Sequence, residues 1–222
     1  MKIRKNSHKN QRCFIIATGP SLGTMVKLPF IGREVNIGVN KSYLITHHAG
    51  FISPYYAISD TTMYMACMNA YNKLGVEQVL TYGKVKDDFG LEFEGDVSVE
   101  YVNYLGGKLW REEEFVYDLE EGTNTGWTVV IDIAIPWAMY MGCNPIYLIG
   151  CDSSPTGHVY SESEHTYSED SIHHNRNVNW DNIMDSYRAV KNTAERDGFD
   201  IYNATDGGAL EVFERVNLND LF

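Results

Sequence analysis

Short apolar runs separated by polar turns dominate the pattern of this chain. Most of the runs do not alternate with polar positions, as expected of strands that are covered on both faces. They predict strands at residues 13–17, 36–39, 55–58, 78–82, 97–102, 145–150 and 200–203.

Three longer segments between these runs carry helical patterns. They lie at residues 61–73, 127–141 and 180–196. The second is apolar on nearly all sides, which predicts a buried helix, and Pro136 should bend it. Asp132 breaks its apolar character, and a buried carboxylate needs hydrogen-bond partners, so a structural role is favoured. The alternation of strands and helices predicts an α/β fold with a mostly parallel sheet and helices on both faces.

Two segments fit neither pattern. Residues 84–122 contain several glycines and the acidic run Glu112-Glu113-Glu114, which predicts an excursion with short elements of its own. Residues 153–178 are polar and poor in aliphatic side chains, so we expect a lid. The basic residues 1–12 are expected to form a flexible arm, which leaves residues 13–222 as a single domain.

Polar residues end several of the predicted strands. They are Thr18, Asn40, Asp60, Asp152 and Asn203. Because ligands of open parallel sheets bind outside the carboxyl ends of the strands, these side chains fall where a site is expected.

The segment Thr18-Gly19-Pro20-Ser21-Leu22-Gly23 follows the first strand and admits three interpretations. In a phosphate-binding turn, Gly19 would allow close backbone approach, and Ser21 would cap the next helix and donate to an anion. The G-x-S-x-G spacing also fits a nucleophile elbow, but only one strand precedes it and Pro20 lacks an N–H, so we reject that interpretation. A purely structural turn with a serine cap is the third.

Composition narrows the class of protein. The 222 residues carry a net charge of −12, which repels phosphate backbones and argues against a nucleic-acid partner. A small phosphate ligand is still possible, since backbone N–H groups can hold it. Four isolated cysteines and the lack of an apolar run of transmembrane length predict a cytoplasmic protein with no transmembrane segment.

Four stretches resemble a family of Rossmann-like transferases: IIATGPSL, TNTGW, IYLIGCD and YNATDGGALEVFERV. The family includes archaeal hydroxymethylpterin diphosphokinase-type proteins and bacterial proteins linked to flagellin glycosylation. The sequence is also distantly similar to bacterial sialyltransferases. The resemblance covers roughly residues 13–60 and 120–215, and it implies a Rossmann-like nucleotide-binding domain.

The resemblance implies a set of nucleotide-contacting residues. They are Thr18, Gly19, Pro20, Ser21, Asn40, Thr125, Gly126 and Asp152. Thr18 stands where the sialyltransferases carry asparagine. Tyr160 matches a tyrosine that would donate a hydrogen bond to the leaving phosphate.

The general base is the weakest match to the family. The histidine of the sialyltransferases falls near Asp181 in an ungapped alignment, so it is not reproduced. His165, His173 and His174 remain candidates, because a histidine titrates near neutral pH.

These observations favour a nucleotide-dependent transferase, first of all a glycosyltransferase that uses a CMP- or similar nucleotide-activated sugar. The acceptor would be small or borne by a partner, and the chain is compatible with a homo-oligomer. The first alternative is a hydroxymethylpterin-type diphosphokinase that uses ATP and Mg²⁺, with Asp60 and Asp152 as metal ligands. The second alternative is a non-catalytic nucleotide-binding protein.

Overall fold

The computed structural model describes residues 3–25, 28–85, 95–111, 114–153 and 179–222. The strands in these ranges are β1 Cys13–Ile16, β2 Val35–Val39, β3 Tyr55–Ala57, β4 Gln78–Tyr82, β5 Ser98–Val102, β6 Tyr104–Lys108, β7 Thr123–Thr125, β8 Ile146–Ile149, β9 Ile201–Asn203 and β10 Glu214–Arg215. The helices are α1 Leu28–Ile31, α2 Tyr43–His48, α3 Thr61–Leu74, α4 Ile135–Tyr140 and α5 Trp180–Asp197. Short 3₁₀ turns lie at Pro20–Thr24, Asn40–Ser42, Leu109–Arg111 and Leu218–Leu221.

Eight strands form one sheet in the order β10-β9-β8-β1-β2-β3-β4-β5, and every neighbouring pair is parallel. Strands β2 to β5 are therefore added in chain order on one side of β1, and strands β8 to β10 are added on its other side. This reversal creates a topological switch point between β1 and β8, which is the usual ligand-binding position in this kind of sheet. The predicted α/β Rossmann-like fold is confirmed.

The central strands are apolar because both of their faces are covered. Ile15 faces the core that α4 and α5 share, whereas Phe14 and Ile16 pack on the opposite side with Leu22 and Leu28. The α3 helix covers the same opposite side farther along the sheet, against Tyr56 and other buried residues. Such double burial explains the lack of alternation in the strand sequences.

Local signals place the ends of α3. The Asp60 carboxylate accepts a hydrogen bond from the Met63 N–H at 2.8 Å and caps the first turn. Gly75 follows the last residue with φ 72°, a conformation that glycine adopts at little cost.

The apolar segment 127–141 does not form one continuous helix. Trp127 has φ 74°, and regular structure begins only with a π-helical turn at Val130–Ala134, followed by α4. The left-handed backbone at Trp127 prevents the helix from starting there. Pro136, the second residue of α4, lies directly after this π-helical turn.

The excursion contributes a second, two-stranded parallel sheet, β6 with β7. Residues 3–12, predicted as a flexible arm, lie against the end of α4, where the N–H groups of Asn6 and His8 donate to the carbonyls of Tyr140 and Met141. Within the described ranges, no helix combines the length and apolarity that crossing a membrane would require.

Candidate functional site

The loops after β1 and β8 meet at the switch point of the sheet. The Ser21 hydroxyl donates to Asp152 Oδ2 at 2.8 Å, and the Ser21 N–H donates to Asp152 Oδ1 at 3.3 Å. Both residues are buried. Ser21 is therefore not the predicted helix cap, since it lies inside the 3₁₀ turn and its hydroxyl is bonded to the neighbouring strand's acid.

Gly19 is required by the close approach of Asp152. A Cβ at position 19 would lie 1.8 Å from Asp152 Oδ2 and 2.5 Å from the Gly150 carbonyl oxygen. No side chain can occupy that space without moving the carboxylate. The glycine thus lets the acid reach across to the turn that follows β1.

The N–H groups of this turn are already used within the protein. Gly19 donates to the Gly150 carbonyl at 2.8 Å, Leu22 donates to the Gly19 carbonyl at 3.1 Å, and Pro20 has no N–H. In this conformation the turn offers no set of backbone donors for a phosphate. The polar groups here are better suited to accept hydrogen bonds from a ligand.

A third loop closes on Asp152 from the other side. The Ala209 N–H donates to the Asp152 carbonyl at 2.7 Å, and a Cβ on Gly208 would lie 2.6 Å from the Asp152 backbone. The Arg215 guanidinium holds this loop through the carbonyls of Gly207 and Gly208, at 2.7 and 3.2 Å. Gly208 of the YNATDGGAL stretch is therefore needed for close packing, whereas Gly207 has open space around it and a left-handed backbone with φ 79°.

Asn40 follows β2 at the same edge of the sheet. Its backbone is left-handed, with φ 46°, and its carbonyl accepts a hydrogen bond from the Tyr71 hydroxyl. Its buried side-chain Oδ1 accepts no hydrogen bond from the described residues. A buried acceptor without a donor is costly, so this atom is a candidate ligand contact.

The TNTGW stretch forms a second turn that is closed by an aspartate. The Gly126 N–H donates to Asp132 Oδ1 at 2.7 Å, and the Thr125 hydroxyl lies 3.3 and 3.4 Å from the two carboxylate oxygens. The Trp127 N–H donates to the Thr125 hydroxyl at 3.3 Å. The predicted pair Thr125 and Gly126 thus depends on Asp132.

Burial raises the pKa of Asp132 to about 7, because charging a carboxyl group inside the protein is unfavourable. The hydrogen bonds from the Gly126 N–H and the Thr125 hydroxyl act in the opposite direction and lower the pKa. A carboxyl group with a pKa near neutrality is frequent at functional sites.

Tyr187 of α5 connects the TNTGW turn to the end of β8. Burial raises the pKa of its hydroxyl, and the nearby side chains of Thr128 and Ser153 act in the opposite direction. Ser153 is the residue after Asp152 and has φ 47°. The Thr123 hydroxyl, in β7, also donates to the Tyr82 hydroxyl at the end of β4, which places this turn at the carboxyl edge.

Left-handed backbone is concentrated near these strand ends. Asn40, Trp127 and Ser153 follow β2, β7 and β8 within four residues. The other non-glycine examples among the described residues are Asn6 and Asn10, and asparagine tolerates this conformation. Backbone strain of this kind is common where a protein grips a ligand.

The structure does not bring the two proposed metal ligands together. β3 precedes Asp60 and β8 precedes Asp152, and these strands are three positions apart in the sheet, about 14 Å. The Asp60 carboxylate caps α3. No group of three or more histidine, cysteine, aspartate or glutamate side chains forms a metal site within the described ranges.

The catalytic candidates Tyr160, His165, His173 and His174 lie outside the described residues. Sequence reasoning favoured a structural role for Asp132 and did not single out Trp127. The sequence does contain a signal for both residues. Asp132 is an acid in an apolar run, Trp127 follows a glycine, and both lie within six residues of Gly126.

Two open cavities lie along α5. One, of about 590 Å³, is lined by Trp110, Arg188 and Arg196 among others, and the second, of about 410 Å³, reaches Ala209. Neither includes Ser21, Asn40 or Asp152 among its described lining residues. We place the candidate site at the switch point, because the polar strand ends meet there.

No protein-family model matches the sequence, and no curated protein matches it either. Among solved structures, the fold is similar to the MAf glycosyltransferase from Magnetospirillum magneticum AMB-1, with a TM-score of 0.61 and 16% sequence identity. The alignment covers 99% of this chain and 36% of the glycosyltransferase, so the chain spans about a third of that protein's length. The described residues therefore share the Rossmann-like fold of a region of a glycosyltransferase.

Proposed function

We propose that this chain is a glycosyltransferase domain that takes a CMP- or similar nucleotide-activated sugar as its donor. The fold similarity to the MAf glycosyltransferase supports a transferase of this class. The switch point between β1 and β8 supports a nucleotide at the carboxyl edge of the sheet.

The observation that carries the proposal is the set of hydrogen-bond acceptors at this edge. No group among the described residues donates to the buried Asn40 Oδ1, and the Asp152 carboxylate lies at the switch point with Ser21 as its partner. A nucleoside supplies matching donors, namely its ribose hydroxyls and the amino group of a base such as cytosine. We therefore assign the described edge to the nucleoside half of the donor.

The phosphate would then be bound by other groups. The N–H groups of residues 19, 21 and 22 are engaged within the protein, so they do not supply this contact in the described conformation. Tyr160, which follows β8 in the chain, is our candidate donor to the leaving phosphate. This division also fits the net charge of −12, which does not favour a highly charged ligand.

The reaction we propose transfers the sugar from the nucleotide to an acceptor hydroxyl. The acceptor oxygen forms a bond to the anomeric carbon, the bond from that carbon to the phosphate oxygen breaks, and the nucleotide leaves with the electron pair. A general base removes the hydroxyl proton, and His165, His173 and His174 are the candidates. For a CMP-linked sugar of this kind, we expect the donor to bind without added metal.

A ligand screen tests the binding step. Thermal unfolding is measured with CMP, CDP, UDP, GDP and ATP, each with and without Mg²⁺. CMP or a related nucleotide without metal should stabilise the protein by about 2.7 kcal/mol at a concentration 100 times its dissociation constant. Stabilisation by ATP only in the presence of Mg²⁺ would instead favour the diphosphokinase, and no response to any nucleotide would exclude a nucleotide site.

Release of nucleotide from CMP-linked sugars tests the transfer step. The variants His165→Ala, His173→Ala and His174→Ala are compared with the wild type for both binding and turnover. The base is identified by the variant that binds CMP normally and loses most of its turnover. Nucleotide binding with no turnover for any tested sugar and acceptor would favour the non-catalytic alternative.

A further inference from the structure

Trp127 occupies an unfavourable conformation for a tryptophan. Its φ of 74° is rarely adopted by a bulky residue, and 46% of its side chain is exposed. Neither the backbone strain nor the exposure of a large aromatic ring helps the domain to fold. A binding role would account for both features.

The turn holds Trp127 rigidly in this conformation. The Trp127 N–H is bonded to the Thr125 hydroxyl, and the preceding N–H, of Gly126, is bonded to the buried Asp132 carboxyl group. A Cβ on Gly126 would lie 2.4 Å from the Ile131 side chain, so the turn cannot easily repack. The position of the indole is thus determined by buried groups beneath it.

A second tryptophan supports the ring from the side. The Trp110 and Trp127 ring centroids are 5.3 Å apart with an interplanar angle of 72°, a T-shaped contact. Trp110 belongs to the 3₁₀ turn Leu109–Arg111, and the Lys108 ammonium lies 5.8 Å from its ring centroid. An edge-to-face contact fixes the orientation of the exposed ring before any ligand arrives.

The turn that carries Trp127 and the loop after β8 share a neighbour, Tyr187. The side chains of Thr128, the next residue, and of Ser153, beside Asp152, both lie near the buried Tyr187 hydroxyl and lower its pKa. One tyrosine side chain therefore links the turn that carries Trp127 to the loop that carries Asp152. A ligand with a planar ring and a sugar could contact both.

We propose that Trp127 is the stacking platform for the base of the nucleotide, with Trp110 as its support. This inference rests on the proposed function, since it requires a nucleotide at the carboxyl edge. Any base can stack on an indole, while the acceptors Asn40 Oδ1 and Asp152 would recognise the polar groups of the nucleoside. Trp127 would bind the base without taking part in the transfer chemistry.

Calorimetric titration of CMP tests this role. Trp127→Ala should weaken CMP binding about 5- to 150-fold, the range of one lost base-stacking contact, whereas Trp127→Phe should retain most of the affinity. The matched control is Phe30→Ala, which removes a ring of similar exposure, 45%, that packs on Phe222 instead. Phe30→Ala should bind CMP as the wild type does.

Ribose 5-phosphate serves as the probe without a base. It should bind the wild type and Trp127→Ala alike, or bind neither. The inference would be overturned if the wild type and Trp127→Ala bound CMP equally, or if Trp127→Ala lost as much affinity for ribose 5-phosphate as for CMP. In either case the proposed function would still stand. If the wild type bound neither CMP nor any other nucleotide, both proposals would fail together.

Discussion

Two turns at the carboxyl edge of the sheet are built in the same way and present different surfaces. In each, an aspartate accepts hydrogen bonds from a backbone N–H and a hydroxyl group. Asp152 binds Ser21 in the turn after β1, and Asp132 binds Gly126 and Thr125 in the turn after β7. The first turn is packed around a glycine, whereas the second projects a tryptophan.

The two turns divide the binding work between them in our account. The turn after β1 brings an acid and a serine together at the switch point, where they can recognise polar groups. The turn after β7 holds a strained and exposed tryptophan, which provides an aromatic surface. The comparison suggests that acid-closed turns are the scaffold of this edge, and that the residue each one displays determines its role.

The largest expected effect is the response of the turn after β7 to pH. The pKa of Asp132 is raised to about 7 by burial, from 3.8. Between these values the folded protein keeps a proton that the unfolded chain releases, so stability falls as the pH rises from 4 to 7. Urea unfolding should show the wild type losing up to about 4 kcal/mol relative to Asp132→Asn over this range. A stability difference that does not change with pH would show that Asp132 is charged throughout.

Gly19→Ala should be the most damaging single change in the turn after β1. The new Cβ would meet both the Asp152 carboxylate and the Gly150 carbonyl, so we expect a loss of about 3 kcal/mol in the free energy of unfolding. The control is Gly83→Ala, whose nearest neighbour, the Val102 carbonyl oxygen, lies at 3.9 Å. It should remain within about 1 kcal/mol of the wild type. Equal effects would mean that the Asp152 contact is not tight.

The hydroxyl groups of the two turns should differ in importance. Ser21→Ala removes the 2.8 Å hydrogen bond of a buried carboxylate and should cost about 2 kcal/mol. Thr125→Val removes contacts of 3.3 and 3.4 Å to Asp132 and the acceptor of the Trp127 N–H, while the Gly126 N–H remains bound to Asp132. Because the Trp127 N–H is exposed and water can replace its partner, about 0.5–1 kcal/mol is expected. Chemical unfolding of both variants checks the order, and a larger loss for Thr125→Val would reverse it.

The smallest effect concerns the strain at Trp127. Because glycine adopts φ 74° freely, Trp127→Gly should be more stable than Trp127→Ala by about 1 kcal/mol. The opposite order is expected at Met65, an exposed position inside α3, where Met65→Ala should be more stable than Met65→Gly by a similar amount. Thermal unfolding of the four variants measures this order. If the alanine variant were the more stable one at both positions, backbone strain at Trp127 would be refuted.

Much of the main sheet could be predicted from the sequence. Runs such as 13–17 and 145–150 are apolar because both faces of each strand are covered, and that burial is visible in the composition itself. The polar residues at strand ends were equally visible. The small sheet of β6 and β7 was not, because β6 is largely exposed and carries no apolar pattern.

The candidate site was predicted less completely. The position of Ser21 and Asp152 in one loop cluster follows from strand order, but their hydrogen bond depends on β8 lying next to β1, a contact across 131 positions. The helix begins only after Trp127 because side-chain hydrogen bonds hold the preceding turn, and the sequence pattern does not show such bonds either. Hydrophobic periodicity could not reveal that Asp132 closes the preceding turn, because the pattern reports burial and says nothing about hydrogen-bond partners.

Hydrogen exchange with and without CMP tests the central claim most directly, since it locates the bound nucleotide. Saturating CMP should slow amide exchange in peptides that cover residues 18–24, 38–42, 123–132 and 203–209. The opposite edge, where residues 6–10 pack against the end of α4, should not change. Protection at that opposite edge, or no protection at saturating CMP, would contradict a nucleotide site at the carboxyl ends of the strands.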